Sequence, residues 1–279
     1  MAEMSLESVN EYKKYLIDEE KSSVTVEKYI RDIIAFSKWI GTRELTKSEV
    51  LEYKEELTEK YAPTSVNSIL ASLNGFFSYM EWFALKVKNL KIQRKIFCGS
   101  EKELSKSEYE RLLKAANDKK NDKIYHIMQT ICSTGIRVSE LKFITVEALT
   151  AGQTTVRMKG KFRTIILPKE LCRLLKKYAA EHAIKTGSIF ITRTGKPIDR
   201  HSVWKCMKQL CETANVAKEK VFPHNLRHLF ARTYYSLQND IVRLADILGH
   251  SSINTTRIYT MESVDIHRKQ IQKLGLLRC

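Results

Sequence analysis

The chain has 279 residues, enough for two cores, and 43% hydrophobic residues with only 10 Gly and 4 Pro describe a helix-rich globular protein. Forty-eight Lys and Arg against 32 Asp and Glu leave a formal charge of +16, which attracts a polyanion and gains from counterion release at phosphates. No apolar run approaches the roughly 20 residues of a membrane span, and the acidic Met1-Ala2-Glu3-Met4 start shows no secretion signal, so a cytoplasmic protein with no membrane partner is expected.

Ser5 starts a helical pattern running to about residue 20, with Leu6, Val9, Tyr12 and Leu16 as its apolar positions. A second pattern covers Ser22 to Ile40, placing Tyr29, Ile33, Phe36 and Ile40 on one face before Gly41 stops it. Thr46 with Glu49 offers a capping box for a third helix to about Tyr61. Pro63 and Thr64 open a fourth, carrying Val66, Leu70, Leu73 and Phe77. Four helices on short loops make a bundle, with Trp39, Trp82 and Phe83 as core rather than stacking platforms. Residues 1–85 therefore read as an N-terminal helical domain. Residues 86–102, KVKNLKIQRKIFCGSEK, are basic and lack a helical stripe. They read as a linker, either solvated or lying along a phosphate backbone.

A second domain, residues 103–279, opens on Ser105 and Glu108, which again suit a capping box. Helices follow at about 105–117 and 122–133; Gly135 breaks the pattern, and Arg137 leads the short helix VSELKFI. Three strand-like segments come next: Thr154–Met158, Arg163–Leu167 and Ser188–Thr192, the first two joined by a turn as a small antiparallel hairpin. Pro168–His182 and Asp199–Ala214 return to helix. The six cysteines (Cys98, Cys132, Cys172, Cys206, Cys211, Cys279) are scattered, with no spacing for zinc or a disulfide framework. The fold class is mainly α with a small antiparallel β-sheet.

The stretch from Val221 to Met261 concentrates chemistry. Pro223 suits a first helical turn, and His224 and Arg227 then share one face while Leu226, Leu229 and Phe230 point elsewhere. A helix from about Asp240 to Leu248 stops at Gly249, and His250 follows in the turn. Ser251, Ser252 and Asn254 can cap a short helix carrying Tyr259, nine positions beyond His250. Taken singly, each of these residues also suits a salt bridge, a helix end or core packing.

Taken together and in order, STGIRVSEL, a Lys-Gly turn between strands, HNLRH and LGHSSINTTRIYT resemble the tyrosine recombinase (phage integrase, Xer-like) family. SVTVEKYIRDIIAFSKWI resembles that family's N-terminal core-binding helices, so the resemblance spans essentially the whole chain. It implies a SAM-like helical bundle and a catalytic domain forming a C-shaped clamp around DNA. It also implies Arg137 as the first catalytic arginine, Glu140 as its acidic neighbour and Lys159 as the hairpin lysine. His224 and Arg227 match the H-x-x-R pair, His250 the His/Trp position and Tyr259 the nucleophile. The turn KGKFRT does not align uniquely with the family's Gly-Lys-Gly form, so Lys161 stands as the alternative general acid. His228, His201 and Arg232 read as structural or phosphate-contacting.

The family's reaction exchanges one phosphodiester for another through a phosphotyrosine. A neutral tyrosine is a weak nucleophile, so the site must remove its proton and stabilise developing charge. Arginine forks suit the non-bridging oxygens, and preorganised donors of this kind supply about 3–4 kcal/mol each; Arg137 and Arg227 are expected there. Lys159 protonates the leaving 5′ oxygen. His224 accepts the tyrosine proton or bonds the phosphate, His250 donates to a phosphate oxygen, and Glu140 orients Arg137 or His224. No cofactor and no metal are expected, because cationic side chains do that work.

The resemblance further implies a homotetramer on two double-stranded recombination sites, exchanging strands through a Holliday junction on the bacterial nucleoid. Integration or excision, resolution and inversion are all compatible tasks, with accessory DNA-bending or directionality proteins as optional partners. Val264, Ile266, Ile271, Leu274 and Leu277 form an apolar set expected to dock on a neighbouring protomer, and 279 residues leave little room for an extra arm-binding domain. The alternatives are a type IB topoisomerase-like relaxing enzyme and a catalytically silent DNA-binding protein.

Overall fold

The Ser5 hydroxyl accepts from the Ser8 N–H and sets the start of α1 (Leu6–Asp18). The computed structural model describes residues 4–92, 103–158, 161–259 and 272–273. The chain divides into two compact units, Met1–Arg94 and Lys95–Cys279.

In the first unit α1 is followed by α2 (Ser23–Ile40), α3 (Lys47–Lys60) and α4 (Pro63–Tyr79). Ser22 and Thr46 cap α2 and α3, and Pro63 occupies the first turn of α4. Glu49, the expected return half of the Thr46 box, has its carboxylate on Arg43 at 2.7 Å. The apolar stripes close on one core: Tyr12, Leu16, Ile33, Phe36, Val66, Leu70, Leu73 and Phe77 are all buried. Asp32 is buried within this unit, held by Lys28 at 2.8 Å and by the Ser72 hydroxyl at 2.9 Å. Asn67 and Asn74 each make two hydrogen bonds to the backbone of Leu90 and Val87, seating residues 87–90 on α4.

Two core expectations fail here. Leu6 is 79% exposed, because it is the first residue of α1 and no helix among the described residues covers it. Phe83 is 61% exposed: the 3₁₀ turn Phe83–Leu85 aims Leu85 inward instead, and the Lys86 ammonium lies 5.8 Å from the Phe83 ring. Trp39 and Trp82 pack against the core as expected.

The second unit opens with α5 (Lys106–Asp118), where both halves of the Ser105–Glu108 box are made. Then come α6 (Asp122–Thr134), a 3₁₀ segment Val138–Phe143, α7 (Val146–Ala151), β1 (Gln153–Met158), β2 (Lys161–Ile166), α8 (Lys169–Glu181) and α9 (Arg200–Lys208). The chain continues as α10 (Pro223–Gln238), α11 (Ile241–Leu248), α12 (Ile253–Thr256) and a 3₁₀ turn Arg257–Tyr259. The fold is thus mainly α with a two-stranded antiparallel sheet, in which Val156 faces Arg163 and Thr154 faces Ile165.

Three boundaries differ from the sequence reading, the first being β2, which runs Lys161–Ile166 rather than from Arg163 to Leu167. Ser188–Thr192 is not a strand: Ile189 and Phe190 are both fully buried, so the segment lacks alternation, and Thr192 and Ile198 close a tight loop through Lys196 and Phe190. It keeps only the single bridges Thr145–Ser188 and Ile191–Pro197. Helix α9 ends at Lys208, and residues to Ala214 continue as turns that bury Leu210 and Cys211. The apolar set beyond Tyr259 falls outside the described residues. Among the described residues no helix is long and apolar enough to cross a membrane.

Leu73 is fully buried at the centre of the bundle. Leu73→Ala is expected to destabilise this unit by about 3 kcal/mol, read as a lower urea midpoint at unchanged slope.

Candidate active site

Arg227 is 1% exposed, on the inner face of α10. Its Nη1 donates to the Gly135 carbonyl at 2.6 Å and its Nη2 to the Leu248 carbonyl at 2.7 Å. Those carbonyls lie at the C-terminal ends of α6 and α11, where helix dipoles favour a cation. Both helices end on glycines with positive φ, Gly135 at 64° and Gly249 at 63°. A Cβ on Gly135 would lie 2.4 Å from the Phe230 ring, so glycine is required there for close approach as well. Arg227 Nη2 also lies 3.0 Å from His250 Nε2. Its Nε is buried and has no hydrogen-bond partner among the described residues. Burial, reinforced by the charge of Arg137, lowers its pKa to about 10, so it stays cationic at neutral pH.

Arg137 enters from the start of the 3₁₀ segment and is held by Glu140. The carboxylate accepts from the Arg137 backbone N–H at 2.8 Å and from Nη1 at 3.0 Å. Glu140 is 1% exposed and has a second cation, Arg163 of β2, at 2.6 Å. Arg163 in turn donates to the Ile247 carbonyl at 3.0 Å and runs so close to Gly249 that a Cβ there would lie 2.4 Å from its Cδ. The sequence reading missed Arg163. Its signal was the strand alternation, which places it opposite buried Val156 and in phase with buried Ile165.

The histidines line up along the same helix. His224 and His228 are 4.7 Å apart edge to face, and His228 meets the Tyr259 ring at 4.8 Å. The His250 ring lies parallel to that of Tyr259 at 6.1 Å. Tyr259 is 4% exposed, packed with Ala231, Leu244 and Leu248. Desolvation and then the charges of Arg227, Arg137 and Arg200 push His224 below the usual imidazole range. Burial and neighbouring positive charge lower His228 and His250 to about 4.

The structure therefore pairs Arg137 with Glu140 and Arg227 with His250, and sets His224 and Tyr259 on either side of His228. One expectation differs. An arginine can only donate, so His250 Nε2 accepts from Arg227, and Nδ1 then carries the proton and donates to the Thr256 hydroxyl at 2.8 Å. Both ring nitrogens are thus engaged, and His250 has no donor left for a phosphate in this arrangement. Lys159 lies outside the described residues, and of Lys161 only the backbone, first in β2, is described. Arg137, His224 and Arg227 line a cleft of about 600 Å³ whose other wall includes Arg200, Trp204 and Phe222.

Residues 102–265 match the Phage integrase family, and residues 9–82 match the phage integrase N-terminal SAM-like domain. The chain is 29% identical to tyrosine recombinase XerA of Pyrococcus furiosus, over 99% of this chain and 98% of that protein. It is 36% identical to tyrosine recombinase XerH of Campylobacter jejuni over 167 residues, 56% of this chain and 47% of that protein. Among solved structures, it is similar to a lambda integrase dimer bound to a COC′ core site (TM-score 0.74, 18% identity, covering 92% of this chain and 95% of that one). It is also similar to XerH bound to difH substrate before cleavage (TM-score 0.68, 21% identity, 92% and 82%). Likeness at these identities is a likeness of fold.

Two outcomes follow from the geometry. An imidazole that protonates near 6.5 in the unfolded chain but near 4 when folded withholds a proton from the native state. Its stability contribution is whole above about pH 6.5 and lost as the pH falls towards 4. The thermal midpoint of wild type should drop through this window, and the drop should be shallower in His228→Gln. Arg163→Met, which leaves the buried Glu140 carboxylate short of a cation, should cost about 3 kcal/mol in chemical unfolding.

Proposed function

The chain belongs to the phage integrase family, the tyrosine recombinases, and we propose that it cuts and rejoins duplex DNA at a specific site through a bond from Tyr259 to a 3′ phosphate. The observation that carries this reading is the cleft where Arg137, His224 and Arg227 converge, with an unused, buried Arg227 Nε–H beside them. A phosphodiester presents two non-bridging oxygens, and arginine forks match them with charge that persists through the reaction.

Tyr259 Oη attacks phosphorus and the P–O5′ bond opens, leaving a 3′-phosphotyrosine and a free 5′ hydroxyl. His224, neutral at pH 7 because its pKa is lowered, accepts the phenol proton or bonds the phosphate. Lys159, with Lys161 as the alternative, supplies the proton to the departing 5′ oxygen. A 5′ hydroxyl from the partner strand then attacks the phosphotyrosine and releases Tyr259. One phosphodiester is exchanged for another, so no external energy source enters. Arg137 and Arg227 hold the charge that builds on phosphorus oxygens. Glu140 keeps Arg137 in place, and His250 steadies Arg227 rather than touching the phosphate directly.

Four protomers on two sites, with strands passing through a Holliday junction, are the assembly that makes such exchange reciprocal. Both the helical bundle and the catalytic unit would contact DNA, on the nucleoid of a bacterial cytoplasm. The apolar set from Val264 to Leu277 would bridge protomers. Relatives named tyrosine recombinases favour exchange over simple relaxation, and the filled clamp positions argue against a silent binding protein.

Tyr259→Phe is the test. The variant should bind the recombination site as wild type does yet form no covalent protein–DNA adduct on denaturing gels. An adduct that persists moves the nucleophile elsewhere and overturns this assignment.

A further inference from the structure

The cleft that holds the phosphate clamp has a second wall that the reaction above does not use. Arg200 and Trp204 sit one turn apart on α9 and line the cleft with Phe222. Trp204 keeps 42% of its surface exposed, while Val203 and Met207 of the same helix are fully buried. Two neighbours contact its indole. His201 stacks on it at 5.9 Å with an interplanar angle of 26°, and the Lys208 ammonium lies 5.4 Å from its centroid. Lys208 is itself held by the Lys218 carbonyl.

A large indole left open to water, contacted by an imidazole and an ammonium and lining one cleft with three arginines, matches a ligand that is anionic at one end and flat and apolar at the other. A nucleotide is such a ligand. Its phosphate belongs with the arginines, and an aromatic wall takes the base.

Resting on the assignment of this cleft to the reacting phosphate, we infer that Arg200 and Trp204 form a subsite for the nucleotide next to the bond that is cut. Trp204 contacts the base, and Arg200 contacts the adjoining backbone phosphate. Cutting the strand frees that nucleotide to leave its helix for the partner duplex, and the indole supplies a stacking surface while it is between the two. The subsite adds no step to the chemistry. It acts on how well the nucleotide is held while the bond is cut as well as during exchange, and it makes the base at that position matter.

The test is a protein–DNA double-mutant cycle with the full chain. Adduct formation is timed in a single turnover on a nicked suicide duplex, with an intact base or an abasic residue at the nucleotide flanking the cleaved phosphate, for wild type, Trp204→Ala and Trp204→Phe. Stacking of one base on an aromatic side chain predicts that Trp204→Ala slows the reaction about tenfold on the intact duplex. The abasic residue should slow wild type by a similar factor, and the two changes together should cost no more than either. Trp204→Phe should recover most of the rate. Independent, multiplying losses, or an unchanged rate in a Trp204→Ala protein with wild-type melting, overturn the subsite. A wild type that forms no adduct on any duplex overturns the assigned chemistry instead, and the same cycle read by equilibrium binding then decides the subsite.

Discussion

A guanidinium taken almost wholly out of water needs acceptors for its N–H groups, and Arg227 finds three, at two helix ends and one imidazole, while its Nε–H has no partner among the described residues. Few arrangements of chain can offer this. Helices α6 and α11 must stop beside one another with carbonyls pointing inward, each on a glycine in the left-handed region. Helix α10 must then carry the arginine between them. The positions of Gly135, His250 and, through the following turn, Tyr259 all descend from that one buried charge. Its loss would leave carbonyl ends unpaired as well as remove a phosphate ligand, so structure and catalysis are not separable at this residue.

The same cation shapes its neighbours' titration. Burial first, and then the charge of Arg227 and its neighbours, lowers the pKa values of His224, His228 and His250 and holds these imidazoles neutral. A neutral ring can take up a proton, which a base opposite a phenol must do, and it adds no further repulsion to a crowded cationic cluster. An anionic phosphodiester offsets part of the local positive charge, so these rings gain affinity for protons when DNA is bound.

Much of this was readable in residues whose role is local. Ser5, Ser22, Thr46 and Ser105 cap the helices that their positions suggested, and Gly135 and Gly249 end helices with positive φ. The stripes through Ile33, Leu70 and Phe77 predicted the bundle core because helical period alone decides which face is covered. What was not readable depended on contacts far apart in sequence. Arg163 looks like any basic residue beside a turn until β2 is paired with β1 and Glu140 is found beneath it, 23 positions away. His250 gave no hint that its Nε2 would accept from Arg227, since that depends on where α10 places the guanidinium. Ser188–Thr192 has strand-like composition but two consecutive inward side chains, a pattern that only the surrounding core explains.

The register of the hairpin, with Val156 opposite Arg163, has a consequence for how the turn between its strands can vary. Sliding β2 by one residue would bring Phe162 to the inner face and expel the arginine that Glu140 and the Ile247 carbonyl require. The strands are therefore pinned from inside the site, whatever the turn contains. A turn whose length shifted the register would work against that pairing.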